Sequence, residues 1–221
     1  MINIQFITDF TCPYCYVARA SLLKAVSEFD GEVEIKYLPY EGTPVGELQA
    51  DVYHDPVRRQ QYRKYLSKLC RELLPDAKIP PRVVPRPYTR LAFEGRCFAE
   101  DAGKGDAYTQ RVLDGYYKEE LDIGQPDILS QLAGEVGLDE VEFRTALERG
   151  TYTRIVEQLE ADTIAEVRPE KIPVILIGDN IRLDGGAYSV ERYKKYLEQA
   201  QDDQIKLAIS GAGCGDNGCG I

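Results

Sequence analysis

The sequence predicts an α/β fold in which a mixed central sheet flanked by helices carries a large all-helical insertion. Strand patterns occur near the two ends of the 221-residue chain, whereas the long middle part shows helical periodicity. At the amino-terminal end a strand, a helix and a second strand follow one another closely, which is typical of a β-α-β unit with parallel strands. These observations indicate a sheet domain that the insertion splits in the sequence.

The amino-terminal unit begins with residues 2–8, which first alternate and then become fully apolar, as expected of a buried strand. Pro13 suits the first turn of a helix, because its missing N–H is not needed there. Asp30-Gly31 ends that helix, and residues 33–37 alternate again. The helix between the two strands predicts that they pair in parallel.

Helical patterns fill residues 43–168. Five prolines between Pro75 and Pro87 interrupt them and predict a rigid connector, and single glycines separate the later segments. The predicted helices cover residues 54–74, 88–103, 105–118, 125–136, 139–148 and 151–167.

Strand patterns return at residues 174–177, where a Gly-Asp-Asn turn predicts a hairpin with residues 181–183. A last amphipathic helix is expected from about Ser189, its N-cap, to Gln201. The Gly-rich end has few side chains to bury and is expected to be flexible. The predicted organisation is a discontinuous sheet domain of residues 1–42 and 169–210, a helical domain of residues 43–168 and a tail of residues 211–221.

Charge and composition exclude several classes of partner. The chain has 27 Lys plus Arg against 37 Asp plus Glu, and its net charge of −10 repels nucleic acids and anionic lipids. The basic residues Arg58-Arg59 and Arg63-Lys64 are interpreted as a solvated helix face without a function. No apolar stretch approaches the roughly 18 residues of a membrane span. Met1 leads into the first strand without an export signal, so we expect a cytoplasmic protein.

Six cysteines in such a chain favour catalysis or metal binding over a structural disulfide framework. Two of them form Cys12-Pro13-Tyr14-Cys15 at the predicted strand-to-helix junction. The positive end of the helix dipole favours a thiolate there, which makes Cys12 the candidate nucleophile. Cys15, one turn later and more sheltered, can attack a mixed disulfide formed at Cys12 and is the candidate resolving thiol.

Other interpretations of the cysteines stay open. Cys12 and Cys15 can form half of a zinc site that Cys214 and Cys219 complete, although no histidine lies near them, or they can be inert buried thiols. The preceding strand and following helix favour redox chemistry over a metal site. Cys214 and Cys219 are also candidates for an accessory redox pair that exchanges electrons with the first pair, or for an isolated disulfide or free thiols.

Two further positions are candidates for roles near the cysteines. Ile172-Pro173 stands directly before a strand, where a cis bond would present the backbone of Ile172 to a substrate chain. A proline tolerated at the first residue of a strand explains the same pattern. Asp9 is a candidate for proton transfer, although capping of the turn before Cys12 is the favoured role.

Taken together, these residues resemble the DsbA family of thiol–disulfide oxidoreductases, and within it the cytoplasmic FrnE-like branch. The specific parts are Cys-Pro-x-Cys and the proline before a strand, and the resemblance spans nearly the whole chain. Further similar stretches are residues 96–100, 103–104, 116–117, 121–123, 137–139 and 185–187.

The resemblance implies a thioredoxin-like fold with a cis bond before Pro173, attack by Cys12 and resolution by Cys15. Two residues depart from it. Tyr14 stands where exported DsbA proteins commonly have histidine, which argues against a strongly oxidising potential. Phe6 stands where thioredoxin-like proteins often have a buried carboxylate, so another group or water must handle the proton.

The resemblance also leaves alternatives to redox catalysis. The same fold includes 2-hydroxychromene-2-carboxylate isomerases and kappa-class glutathione transferases, which use a serine near this position. The presence of a resolving thiol disfavours that class. A metal-binding or chaperone-like module is a non-enzymatic alternative. We expect protein or small-thiol substrates and no bound cofactor, with glutathione as a candidate co-substrate.

Overall fold

The computed structural model describes residues 1–211 and has a four-stranded mixed sheet at its centre. One strand pair is parallel and the other two pairs are antiparallel. The strands are β1 (Ile2–Thr8), β2 (Val33–Pro39), β3 (Val174–Ile177) and β4 (Ile181–Asp184), in the order β2-β1-β3-β4. The pairing of β1 with β2 is the parallel one, which confirms the predicted β-α-β unit, and β3 and β4 form the predicted hairpin.

Helices flank this sheet and fill the chain between β2 and β3. They are α1 (Pro13–Ser27), α2 (Pro56–Leu73), α3 (Arg90–Asp101), α4 (Gly105–Tyr117), α5 (Pro126–Glu135), α6 (Glu140–Glu148), α7 (Thr153–Val167) and α8 (Val190–Gly211). This arrangement confirms the predicted fold class of a mixed sheet flanked by helices with a large helical insertion. Among α1–α8, none is long and apolar enough to cross a membrane.

Helix α1 is buried on two faces and joins the sheet to the insertion. Cys15 and Leu22 pack with residues of the sheet and α8, whereas Tyr16 and Val17 pack with residues of the insertion. The ring of Tyr16 stacks on that of Tyr117 in α4, with the ring centroids 4.3 Å apart. The two parts of the chain thus share α1, and the predicted boundary between separate domains stays a prediction.

The prediction for the end of the last helix was wrong. We expected α8 to end near Gln201, whereas it continues to Gly211. No proline or glycine interrupts residues 202–207, and the side chain of Gln204 donates a hydrogen bond to the Met1 carbonyl over 3.1 Å. This contact holds the end of α8 next to the residue before β1. The expected tail beyond Gly211 lies outside the described residues.

Candidate active site

Cys12 is the N-cap residue of α1. Its backbone is extended, with φ −85° and ψ 112°, and its sulfur accepts a hydrogen bond from the Cys15 N–H over 3.4 Å. Pro13 occupies the start of the helix, where it removes no hydrogen bond. The sulfur therefore lies at the positive end of the helix, beside the N–H groups of its first turn. Cys12 is only partly buried.

Cys15 lies one turn behind Cys12 and is buried. Burial raises the pKa of its thiol well above the usual range, and the hydrogen bond to Cys12 and the charge of that residue raise it further. Hydrogen bonds from the Asp9 backbone and the Thr8 side chain act in the opposite direction. Cys15 is therefore a sheltered, protonated thiol at neutral pH.

Asp9 fixes the turn between β1 and α1. One carboxylate oxygen accepts hydrogen bonds from the Thr11 N–H and hydroxyl, over 2.6 Å and 2.8 Å. The other accepts the Gly42 N–H, which follows β2, over 2.6 Å. A side chain at Gly42 would place its Cβ 2.9 Å from that oxygen, so glycine is needed for this close approach. These contacts support the turn-capping role of Asp9.

The bond between Ile172 and Pro173 is cis, as the resemblance implied. The Ile172 carbonyl oxygen lies 3.9 Å from the Cys12 sulfur. The Pro173 carbonyl accepts a hydrogen bond from the Gly185 N–H over 2.8 Å, which ties this loop to the residue after β4. The fold thus brings Ile172 beside Cys12 across 160 residues of sequence.

An open groove of about 290 Å³ surrounds Cys12. Its lining is aromatic on one side, where the rings of Tyr14 and Tyr62 meet edge to face with their centroids 5.8 Å apart. It also contains the cations Arg58, Arg86 and Lys171 and the carboxylates of Asp9 and Glu170. Burial raises the pKa of Tyr14, and its phenol therefore stays neutral and available as a hydrogen-bond donor.

The basic residues of this groove were missed by sequence reasoning. Arg58 was interpreted as part of a solvated helix face without a function, yet it lines the groove. The Asp55 side chain accepts hydrogen bonds from the N–H groups of Val57 and Arg58, so α2 starts with Arg58 in its first turn. No local pattern could show that this turn packs beside Cys12, because the contact is tertiary.

The remaining four cysteines do not line this groove within the described residues. Cys70 and Cys97 are free, partly buried thiols of α2 and α3, and burial raises the pKa of each to about 11. Cys214 and Cys219 lie outside the described residues. Within residues 1–211 no group of three His, Cys, Asp or Glu side chains is placed to hold a metal ion.

The fold and this cysteine pair agree with a family assignment. Residues 3–198 match the DSBA-like thioredoxin domain, and the chain belongs to that family. It is 34% identical over 205 residues to the uncharacterized protein YwbO of Bacillus subtilis, covering 93% of this chain and 98% of that one.

Two solved structures share the fold. The probable DsbA oxidoreductase SCO1869 from Streptomyces coelicolor superposes with a TM-score of 0.77 at 20% identity, covering 92% of this chain and 91% of that chain. The cytosolic disulfide reductase DsbM from Pseudomonas aeruginosa has a TM-score of 0.65 at 19% identity, covering 93% and 99%. At this identity the likeness shows the fold.

The Asp9 turn allows a first prediction. Asp9→Asn replaces an acceptor with an amide, so that one of the three accepted hydrogen bonds is lost. We expect the free energy of unfolding to fall by about 1–3 kcal/mol in denaturant titrations. Asp202→Asn, at an exposed position of α8, is the control and should change it by less than about 0.5 kcal/mol. Unchanged stability with an altered pH profile of thiol exchange would instead support proton transfer by Asp9.

Proposed function

We propose that this protein is a thiol–disulfide oxidoreductase that uses Cys12 as nucleophile and Cys15 as resolving thiol on protein or small-thiol substrates. One observation carries the proposal: an accessible cysteine caps α1 beside the Ile172 carbonyl, with a buried cysteine one turn behind it. Family membership supports the same chemistry.

In the first step the Cys12 thiolate attacks one sulfur of a substrate disulfide. A bond forms between Cys12 and that sulfur, and the other substrate sulfur leaves as a thiolate and takes up a proton. In the second step Cys15 loses its proton and attacks the Cys12 sulfur, which releases the remaining substrate thiol and closes the Cys12–Cys15 disulfide. The same steps run in reverse, and the reduction potentials of the two pairs set the direction.

The Ile172 backbone supports binding of an extended substrate segment. It lies beside the Cys12 sulfur at the start of β3, so a peptide next to it can form main-chain hydrogen bonds like those of an added strand. The groove around Cys12 then accepts the side chains next to the substrate cysteine. Tyr14 and Tyr62 offer them an aromatic wall.

The different positions of the cysteines give a second prediction. Cys12→Ser should abolish insulin reduction and the refolding of scrambled disulfide substrates, because it removes the attacking thiol. Cys15→Ser should accumulate mixed disulfides at Cys12, which non-reducing mass spectrometry detects. Cys70→Ser and Cys97→Ser are matched controls, because neither cysteine lines the groove, and both should keep full activity.

The same variants separate this proposal from the isomerase alternative. An enzyme of the 2-hydroxychromene-2-carboxylate isomerase type should tolerate serine at position 12 and need no thiol at position 15. Full disulfide exchange by Cys12→Ser would overturn the proposed function.

The cations of the groove favour small anionic thiols as additional substrates. Arg58, Arg86 and Lys171 can pair with carboxylates of a molecule such as glutathione. DsbM from Pseudomonas aeruginosa, which shares the fold, has also been solved with GSH.

A third prediction tests this substrate class. Arg58→Gln should raise KM for glutathione disulfide by about three- to tenfold, the effect of losing roughly 1 kcal/mol of binding, with little change in kcat. Its neighbour Arg59 instead stacks on Tyr53, 5.2 Å from the ring centroid. Arg59→Gln is therefore the matched control, and equal KM values in both variants would contradict a role for Arg58.

An accessory role of Cys214 and Cys219 stays a hypothesis. The last turns of α8 lie next to Met1, at the start of β1, whereas Cys12 follows its end. A relay within one chain must therefore span the length of β1, which is about 20 Å. Truncation after Ser210 should slow reduction and reoxidation of the Cys12–Cys15 pair if the relay operates, and unchanged rates would refute it. A cytoplasmic location and the FrnE-like branch also stay predictions.

A further inference from the structure

A small cavity lies beside Cys15. It shares no lining residue with the groove around Cys12. Its volume is about 10 Å³, which is the room that one water molecule needs. The wall combines polar and apolar groups and includes Thr8, Cys15, Arg19, Tyr37 and Arg96. Most of this wall is apolar, and Arg19 and Cys15 both contribute to it.

Arg19 brings a buried positive charge without a matching carboxylate to this cavity. The residue is 5% exposed. One terminal nitrogen donates to the Gln110 side-chain oxygen over 2.5 Å, and Nε has no hydrogen-bond partner. In residues 1–211 no carboxylate forms an ion pair with it. Burying a cation without a partner lowers the stability of the folded protein, and a functional role would explain why Arg19 is buried here.

The helix directs Arg19 towards Cys15. The two residues are four positions apart in α1 and therefore neighbours on the same face. Long side chains on a helix lean towards its N-terminus, and both Arg19 and Cys15 line the same cavity. The Tyr37 ring supports it from β2, with the guanidinium carbon 5.4 Å from the ring centroid.

Arg96, the other cation of the cavity, is already compensated. It forms ion pairs with Glu100 at 2.7 Å and Asp106 at 3.7 Å. None of the other titratable groups around Cys15 is a cation. They are Asp9 in the turn after β1, Cys12 at the start of α1, Tyr117 in α4 and Tyr193 in α8.

We propose that Arg19 is a positioning residue for the resolving step, where its guanidinium stabilises the Cys15 thiolate. This inference rests on the proposed function. Because Phe6 offers no carboxylate, the Cys15 proton passes to water, and Arg19 acts by its charge alone.

The step balances without an added reagent. In the mixed disulfide, Cys12 is bonded to a substrate sulfur and carries no charge. The Cys15 thiol releases its proton to water, and its sulfur attacks the Cys12 sulfur. The bond from Cys12 to the substrate breaks, and the substrate sulfur leaves as a thiolate that takes up a proton. Cys15 is oxidised and the substrate sulfur is reduced.

Single-turnover kinetics test the proposal in the full chain. The reduced protein is mixed with 4,4′-dithiodipyridine, an uncharged disulfide that the cations of the groove do not select. Acid quenching and peptide mass spectrometry then count chains with a mixed disulfide at Cys12 and chains with the closed pair. The rate at which the mixed disulfide forms measures the attack by Cys12. The rate at which it converts to the closed pair measures the attack by Cys15.

Arg19→Gln should leave formation of the mixed disulfide unchanged and slow its closure about tenfold at neutral pH, equivalent to an upward shift of the pH profile by about one unit. Arg19→Lys, which keeps the charge, should restore most of the rate. Lys24→Gln removes a charge from the exposed face of the same helix and should match the wild type.

The outcomes separate the two proposals. If the wild type forms no mixed disulfide at Cys12, the proposed function fails. If Arg19→Gln closes the pair with the wild-type rate and pH profile, the function stands and the role of Arg19 is refuted. A purely structural role would lower the free energy of unfolding without moving the pH profile.

If Arg19→Gln does not fold, Gln110→Leu serves as the second variant, because it removes the α4 side chain that accepts a hydrogen bond from Arg19. It should shift the pH profile of closure in the same direction as Arg19→Gln but by less. A wild-type pH profile in Gln110→Leu would then refute the proposal.

Discussion

The burial of α1 on two faces is the constraint on which the rest of the site depends. Both cysteines belong to its first turns, so whatever fixes the helix also fixes the sulfurs. The sheet and α8 hold one face through residues such as Leu22. The insertion holds the other through Tyr16, whose ring lies parallel to that of Tyr117. Because α1 is held on both faces, its positive N-terminal end has a fixed position, and Cys12 lies at that end.

Three segments far apart in the sequence converge on that helix end. The turn after β1 is tied by Asp9 to Gly42 behind β2, and the loop before β3 brings the Ile172 carbonyl to the sulfur. The first turn of α2 adds Arg58 to the groove. The position of each segment depends on a strand end or a helix start, and therefore a small change in one of them would move the partners of Cys12 relative to one another.

Sequence reasoning reached the sheet, the order of elements and the cysteine pair because each has a local signal. Pro13 at a helix start and alternation in residues 33–37 are of this kind. The groove cations and the cavity beside Cys15 have no local signal, since they depend on how α2 and the insertion pack on α1. No local pattern marks Arg19 either, although it is buried.

Two further cis bonds were also beyond the sequence pattern. They precede Pro80 and Pro85, in the stretch predicted as a rigid connector. The proline count alone indicated stiffness there but not which bonds are cis.

The shared packing around Tyr16 makes the insertion an integral part of the thioredoxin-like half rather than a removable attachment. Without the insertion, Tyr16 and Val17 would form an apolar patch on the solvent side of α1, close to Cys12. Such a patch promotes self-association. Any minimal version of this protein, reduced to its sheet and two helices, would therefore need a redesigned polar surface on α1 before it could remain monodisperse.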